Sequence, residues 1–251
     1  MFGKILLAGI SLLVCVIGHA QEPAPSVEPS SAVSTALPLD LDVLWASRDL
    51  QPLRDWLGDL DPARADQPDA LRIRARLAQL DGDLDAADGL IERALELVSD
   101  SSELRSKLLS DRAMLHLSNL DGSGMFRSLR VARAALKDFE QAVELNPDYV
   151  PALFGLLQYH NNAPAIAGGR KARAEEVREQ LSILAPARLV GMDAAGLLGE
   201  NQSEKALEQF DAALALGPNP SRPLWLMYKS LALQRLDQFE QAVDLLEQAV
   251  S

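Results

Sequence analysis

One four-residue pattern is written twice in this chain. Ala135, Phe139, Ala142 and Pro147 follow A-x3-F-x2-A-x4-P, and Ala206, Phe210, Ala213 and Pro218 follow it again 71 residues later. Positions i, i+4 and i+7 share one face of an α-helix. Alanines on that face let a neighbouring helix approach closely. The phenylalanine fills the gap between the two helices, and the proline stops the helix that carries the pattern. Partial copies read Ala87, Ile91, Ala94 and Ala242, Leu246, Ala249. A degenerate copy reads Ala174, Arg178, Leu181, before Pro186. The lead alanines stand at 87, 135, 174, 206 and 242, at intervals of 48, 39, 32 and 36 residues. A recurring unit with insertions is the reading that fits them.

Between these helices the apolar periodicity predicts six helix pairs. The first is weak, at 39–48 and 50–60, with Leu44, Trp45, Leu53, Trp56 and Leu57 as its apolar residues. The others are predicted at 67–80 with 84–98, 102–119 with 125–145, 148–159 with 170–184, 188–199 with 203–216, and 221–236 with 239–250. Hydrophobic residues make up 48% of the chain but aromatics only 5%. Leu, Ala and Val must therefore fill the core, as suits closely packed helices.

The N-terminus reads as an export signal. Lys4 gives a positive start, Ile5 to Ile17 is a 13-residue, mostly apolar stretch, and Gly18 and Ala20 are small residues before Gln21. The stretch is short for a membrane span. Residues 1–20 are thus expected to be a signal peptide, and 21–38, rich in Pro, Ser and Ala, a flexible tether. Residues 39–251 would form the folded part. Cys15 is the sole cysteine. It allows a lipoprotein alternative anchored at the membrane, although Val14 is larger than the residue that normally precedes a lipidated cysteine. A periplasmic or secreted location is expected. Such a chain would fold without a disulfide.

The formal net charge is −12. That argues against nucleic acid, whose phosphates need a basic footprint. Candidate chemistry is sparse. Asp81, Asp83, Asp85 and Glu92 have the ligand spacing of a calcium loop, but the glycine such a loop needs at its turn is Ala86 here, and Ala87 already belongs to the packing face. An acidic turn at a helix start is the preferred reading. Gly168, Gly169, Arg170 and Lys171 could hold an anion at the start of a helix. The upstream glycine of a P-loop is missing, and Ala172 stands where Ser or Thr would follow the lysine. His116 and His160 show no metal-ligand spacing, and Gly122-Ser123-Gly124 lacks the strand–turn–helix setting of a nucleophile elbow. No cofactor and no catalysis are expected.

The A-x3-F-x2-A-x4-P pattern resembles the tetratricopeptide-repeat superfamily over most of 67–251. The Trp, Leu-Gly and Tyr positions of that family's first helix are largely missing. The resemblance implies an all-α fold, a right-handed superhelical solenoid of about five to six antiparallel helix pairs. It implies a scaffold that binds a protein or peptide in a groove lined by first helices. Setting Ala87 as the packing alanine of its unit would then place Arg72, Arg76 and Gln79 in the groove. Arg105, Leu109, Arg112 and His116 would share one face of the next first helix, followed by Phe154, Gln158 and Asn161. Arg, Gln and Asn there would suit an acidic peptide or a C-terminal carboxylate. The alternative is a small-ligand-binding accessory subunit of an envelope transporter, using the Gly168–Gly169 loop. On the last helix, Ala242, Leu246 and Ala249 should face the partner helix. Val243 and Val250 should lie uncovered, open to weak self-association or to a docking helix.

Overall fold

The computed structural model describes residues 50–98, 102–120, 124–217 and 221–250. The expected signal, the tether and the first predicted helix at 39–48 lie outside them. Among the described residues the chain is all-helical. Its α-helices are α1 (Gln51–Gly58), α2 (Pro62–Ala65), α3 (Pro68–Leu80), α4 (Leu84–Leu97), α5 (Ser102–Ser118), α6 (Met125–Leu145), α7 (Val150–Asn162), α8 (Lys171–Leu184), α9 (Pro186–Gly199), α10 (Ser203–Ala215), α11 (Arg222–Arg235) and α12 (Phe239–Val250). A single 3-10 turn spans Ala165–Ala167. No described helix is long and apolar enough to cross a membrane. The short α2 went unpredicted; Asp61 caps it by accepting from the N–H groups of Ala63 and Arg64.

Two compact units divide the described chain near Gln180 and Leu181. In the first, α3 packs on α4, α5 on α6, and α7 on α6. Helix α8 begins after the Gly168–Gly169 turn, and near its C-terminal end Gln180 Nε2 donates to Pro147 O, ahead of α7, at 2.9 Å. In the second unit α9 pairs with α10, and α11 with α12, while α10 packs on α11.

The lead alanines and their i+4 and i+7 partners form these seams. Ala87, Ile91, Ala94, Ala135, Phe139, Ala142, Ala206, Phe210 and Ala213 are all buried. Gly155 of α7 lies so close to the Phe139 ring that a Cβ there would sit 2.2 Å from Cε1. Gly191 of α9 stands likewise against Trp225, at 2.3 Å from Cε2. Phe210, Trp225 and Tyr228 form one aromatic cluster, with Phe210 and Tyr228 stacked at 6.3 Å between ring centroids. Close approach also exposes helix carbonyls to side chains of the facing helix. Ser106 Oγ donates to Ala142 O at 2.7 Å and Ser230 Oγ to Ala242 O at 3.0 Å, both fully buried.

The turns inside three pairs are built alike. Gly82, Asn201 and Asp237 take left-handed φ values of 85°, 60° and 58°. Each stands five residues before a lead alanine. Beyond each, an N–H reaches back to close the preceding helix: Asp83 to Ala78 O, Gln202 to Leu197 O and Gln238 to Leu233 O, at 2.9 Å in every case. That is a Schellman closure, used where a helix must end and reverse at once. The DGDLDA segment is such a turn. Asp83 caps α4 through Ala86 N–H at 3.0 Å, and Asp81 pairs with Arg54 of α1 at 2.8 Å.

The degenerate unit keeps its apolar ends, with Ala174 and Leu181 buried. Elsewhere the described ends of the helices lie within a few residues of the predicted ones. The exception is the NNAPAIAGG break, where Asn161 and Asn162 still belong to α7.

Candidate binding surface

The row Arg105, Leu109, Arg112, His116 does lie along α5; Leu109 is buried, Arg112 and His116 are half-buried and Arg105 is exposed, and the polar three bond to neighbouring helices. Arg105 Nη1 donates to Leu95 O and Val98 O, at 3.2 and 3.1 Å, and so satisfies carbonyls at the end of α4. Leu109 is core. Arg112 grips Asp138 of α6 with two parallel hydrogen bonds, Nε to Oδ2 and Nη2 to Oδ1, both 2.8 Å. Its third nitrogen reaches Glu92 of α4 at 2.8 Å. His116 Nε2 meets Asp88 Oδ1 at 3.1 Å. One guanidinium therefore ties α4, α5 and α6 together. The hydrogen bond to Asp138 outweighs burial and holds the Arg112 pKa above its ordinary value.

Arg72 is committed in the same way. Its Nε donates to Asp111 Oδ2 of α5 at 2.5 Å. Burial disfavours the Arg72 charge. Asp111, with smaller contributions from Tyr149 and Asp69, outweighs it and raises the pKa. Arg76 shares a 2.8 Å hydrogen bond with Gln79, whose amide nitrogen is 3.5 Å from Ser118 Oγ. The expected basic groove is corrected in part: Arg72 and Arg112 are bonds between helices, because carboxylates of the neighbouring helices stand opposite them, while Arg105 bonds carbonyls at the end of α4 and stays exposed.

Phe154 is also corrected. It is buried with nearly every residue of α7 from Pro151 to Tyr159, a run that is apolar on all sides. Gln158 is half-buried and Asn161 exposed at the C-terminal end of the same helix. Solvent also reaches Arg105, which is exposed, and half-buried Arg72, Arg76, Gln79, Arg112 and His116.

The Gly168–Gly169 loop is held inward. Tyr159 O–H donates to Ala167 O and Arg133 Nη2 to Ile166 O, each at 2.7 Å. Gly168 has φ 101°, where a side chain is strained, and a Cβ on it would meet Leu136 at 2.9 Å. A Cβ on Gly169 would lie 1.8 Å from Ala163 O. The glycines are therefore required by the fold of this turn. Arg170 stands 3.8 Å from Glu140, and Lys171 is exposed at the start of α8.

Beneath this loop His160 is buried, edge-on to Tyr159, and neither ring nitrogen makes a hydrogen bond in good geometry. Burial, with Arg170 and Arg173 nearby, holds its pKa below the ordinary 6.5. Glu176 and the Gly168 backbone oppose this more weakly. The folded chain thus prefers neutral His160. Its contribution to stability should be complete above about pH 6.5 and be lost as the pH falls through the lower folded value. Urea midpoints measured from pH 8 to 5 should drop more steeply for the parent than for His160→Phe. Parallel curves would show that His160 does not titrate on unfolding.

Asp138 and Gly155 organise this surface, Gly191 and Trp225 organise the packing within the second unit, and the sequence did not single them out. Asp138 had one available signal, a carboxylate immediately before Phe139 on a buried face. No protein-family model matches the chain, and no curated protein is significantly similar to it.

Proposed function

We propose that the chain is an exported, non-enzymatic repeat scaffold of the tetratricopeptide type that binds a protein or peptide partner. The observation that carries this reading is the recurrence of one building unit. The left-handed turn residue, the lead alanine five positions on, and the buried residue four positions after that recur around Gly82–Ala87–Ile91 and Asn201–Ala206–Phe210. Arrays of such units present long helix faces, and their common use is to hold another polypeptide. The proposed groove employs Arg76, Gln158 and Asn161. Arg72 and Arg112 set the shape of the helices behind them, and their charge is already balanced by carboxylates.

Native mass spectrometry of the chain purified from its own envelope tests this. A co-purifying polypeptide, lost when Gln158 and Asn161 are both changed to Ala, is the expected outcome. A bound small molecule and no polypeptide would overturn the reading in favour of solute binding. The same spectra test export, since the mature mass should begin at Gln21. Diacylglycerol on Cys15 would replace the freely soluble form with an anchored one.

A further inference from the structure

The second helices carry a two-residue code that the following element answers. In every unit but the degenerate one, where Arg178 follows Ala174, an apolar residue comes four residues after the lead alanine: Ile91, Phe139, Phe210 and Leu246. The next residue is always acidic: Glu92, Glu140, Asp211 and Glu247. At the first three of these both are met. Ile91 joins a core with Leu108 and Leu109 of α5, while α5 sends Arg112 to Glu92. Phe139 is covered by Gly155 of α7, and Arg170, just before α8, stands near Glu140. Phe210 is covered by Trp225 and Tyr228 of α11, which sends Lys229 to Asp211. The apolar members are 4%, 0% and 0% exposed.

On α12 the code is unanswered. Leu246, expected against α11, is 39% exposed, and Glu247 has no ion-pair partner among the described residues. Phe239 and Val243 extend the apolar strip at i and i+4, at 58% and 54% exposure; the side chain of Val250 lies outside the described residues. Met227 and Leu231 of α11 are exposed as well. The strip is edged by Glu240, Asp244 and Glu247, and α12 contains no basic residue.

We infer that this face binds an amphipathic helix of a partner protein that places an apolar or aromatic side chain on Leu246 and a lysine or arginine on Glu247. The internal units supply the form of the complement, and the acidic edge supplies its charge. A second copy docking through the same face would oppose the carboxylates of one α12 to those of the other. The inference goes beyond the groove reading and uses none of the groove residues.

A stapled helical peptide copying Arg222–Arg235 is a suitable probe, because that helix covers the equivalent face of α10. Fluorescence anisotropy should show saturable binding to the folded chain, weakened at least tenfold by Leu246→Glu and by Glu247→Lys. A peptide carrying Lys229→Glu should recover the Glu247→Lys loss. Both residues are exposed, so thermal melts of the two variants should match the parent. Absence of saturable binding, or binding indifferent to both substitutions, would overturn the inference. So would concentration-dependent association of the chain alone, abolished by Leu246→Glu in sedimentation, since the occupant would then be a second copy. Failure here would leave the partner test with Gln158 and Asn161 unaffected.

Discussion

Phe139→Ala should destabilise the chain by about 3–5 kcal/mol, and Phe210→Ala by about as much, because each removes a fully buried ring from between packed helices. The two sites should behave differently toward a second change. Gly155 has no room for a Cβ while the Phe139 ring is present. Gly155→Ala alone should therefore cost about 1–3 kcal/mol through overpacking. In the Phe139→Ala background that penalty should vanish, because the added methyl enters the space the ring has left. Urea denaturation of the four species measures the coupling. Additive losses would mean that α7 does not approach α6 as closely as Gly155 requires. Phe210 has no such glycine. It rests on Trp225 and Tyr228, so Phe210→Leu should be the milder change there.

Arg112→Ala should cost about 3–5 kcal/mol, the penalty for leaving the buried Asp138 carboxylate without its partner. The loss should exceed that of Arg54→Ala, whose pair with Asp81 is about half exposed and worth about 0–1 kcal/mol. Replacing both members, as Arg112→Leu with Asp138→Leu, should restore most of the stability, since no buried charge is then left unpaired and Glu92 is half exposed. Chemical denaturation of the single and double variants decides this. If Arg112→Ala unfolds like the parent, the guanidinium is not the tie between α4, α5 and α6. The basic-groove reading would then regain its strongest residue.

The sequence carried the helices because their signals are local. Alanine and phenylalanine at i, i+4 and i+7 need only one helix to be read, and proline or glycine marks its end. The left-handed turn residues were legible in principle too, since Gly82, Asn201 and Asp237 keep one distance from the lead alanines. Their differing identities concealed the regularity. The candidate surface was harder for a physical reason. Whether Arg72 or Arg112 faces solvent depends on carboxylates 39 and 26 residues away, and no periodicity reports a pairing of that range. Phe154 was misplaced because α7 is apolar on every side, so its sequence has no face to phase. Leu246 was misplaced because Ile91, Phe139 and Phe210 at the same position are buried by a facing helix, and no described helix covers Leu246.

Hydrogen exchange by mass spectrometry, comparing the parent with Phe139→Ala and Phe210→Ala, tests the repeat account most directly. In an array of units each contact is local, so protection should fall near the substitution and persist away from it. Phe139→Ala should speed exchange in α5, α6 and α7 and leave α11 and α12 as protected as before. Phe210→Ala should act on α9, α10 and α11 and spare α3 and α4. Uniform loss of protection across all described helices in both variants would contradict the account, because the chain would then be one cooperative globule rather than a series of helix pairs.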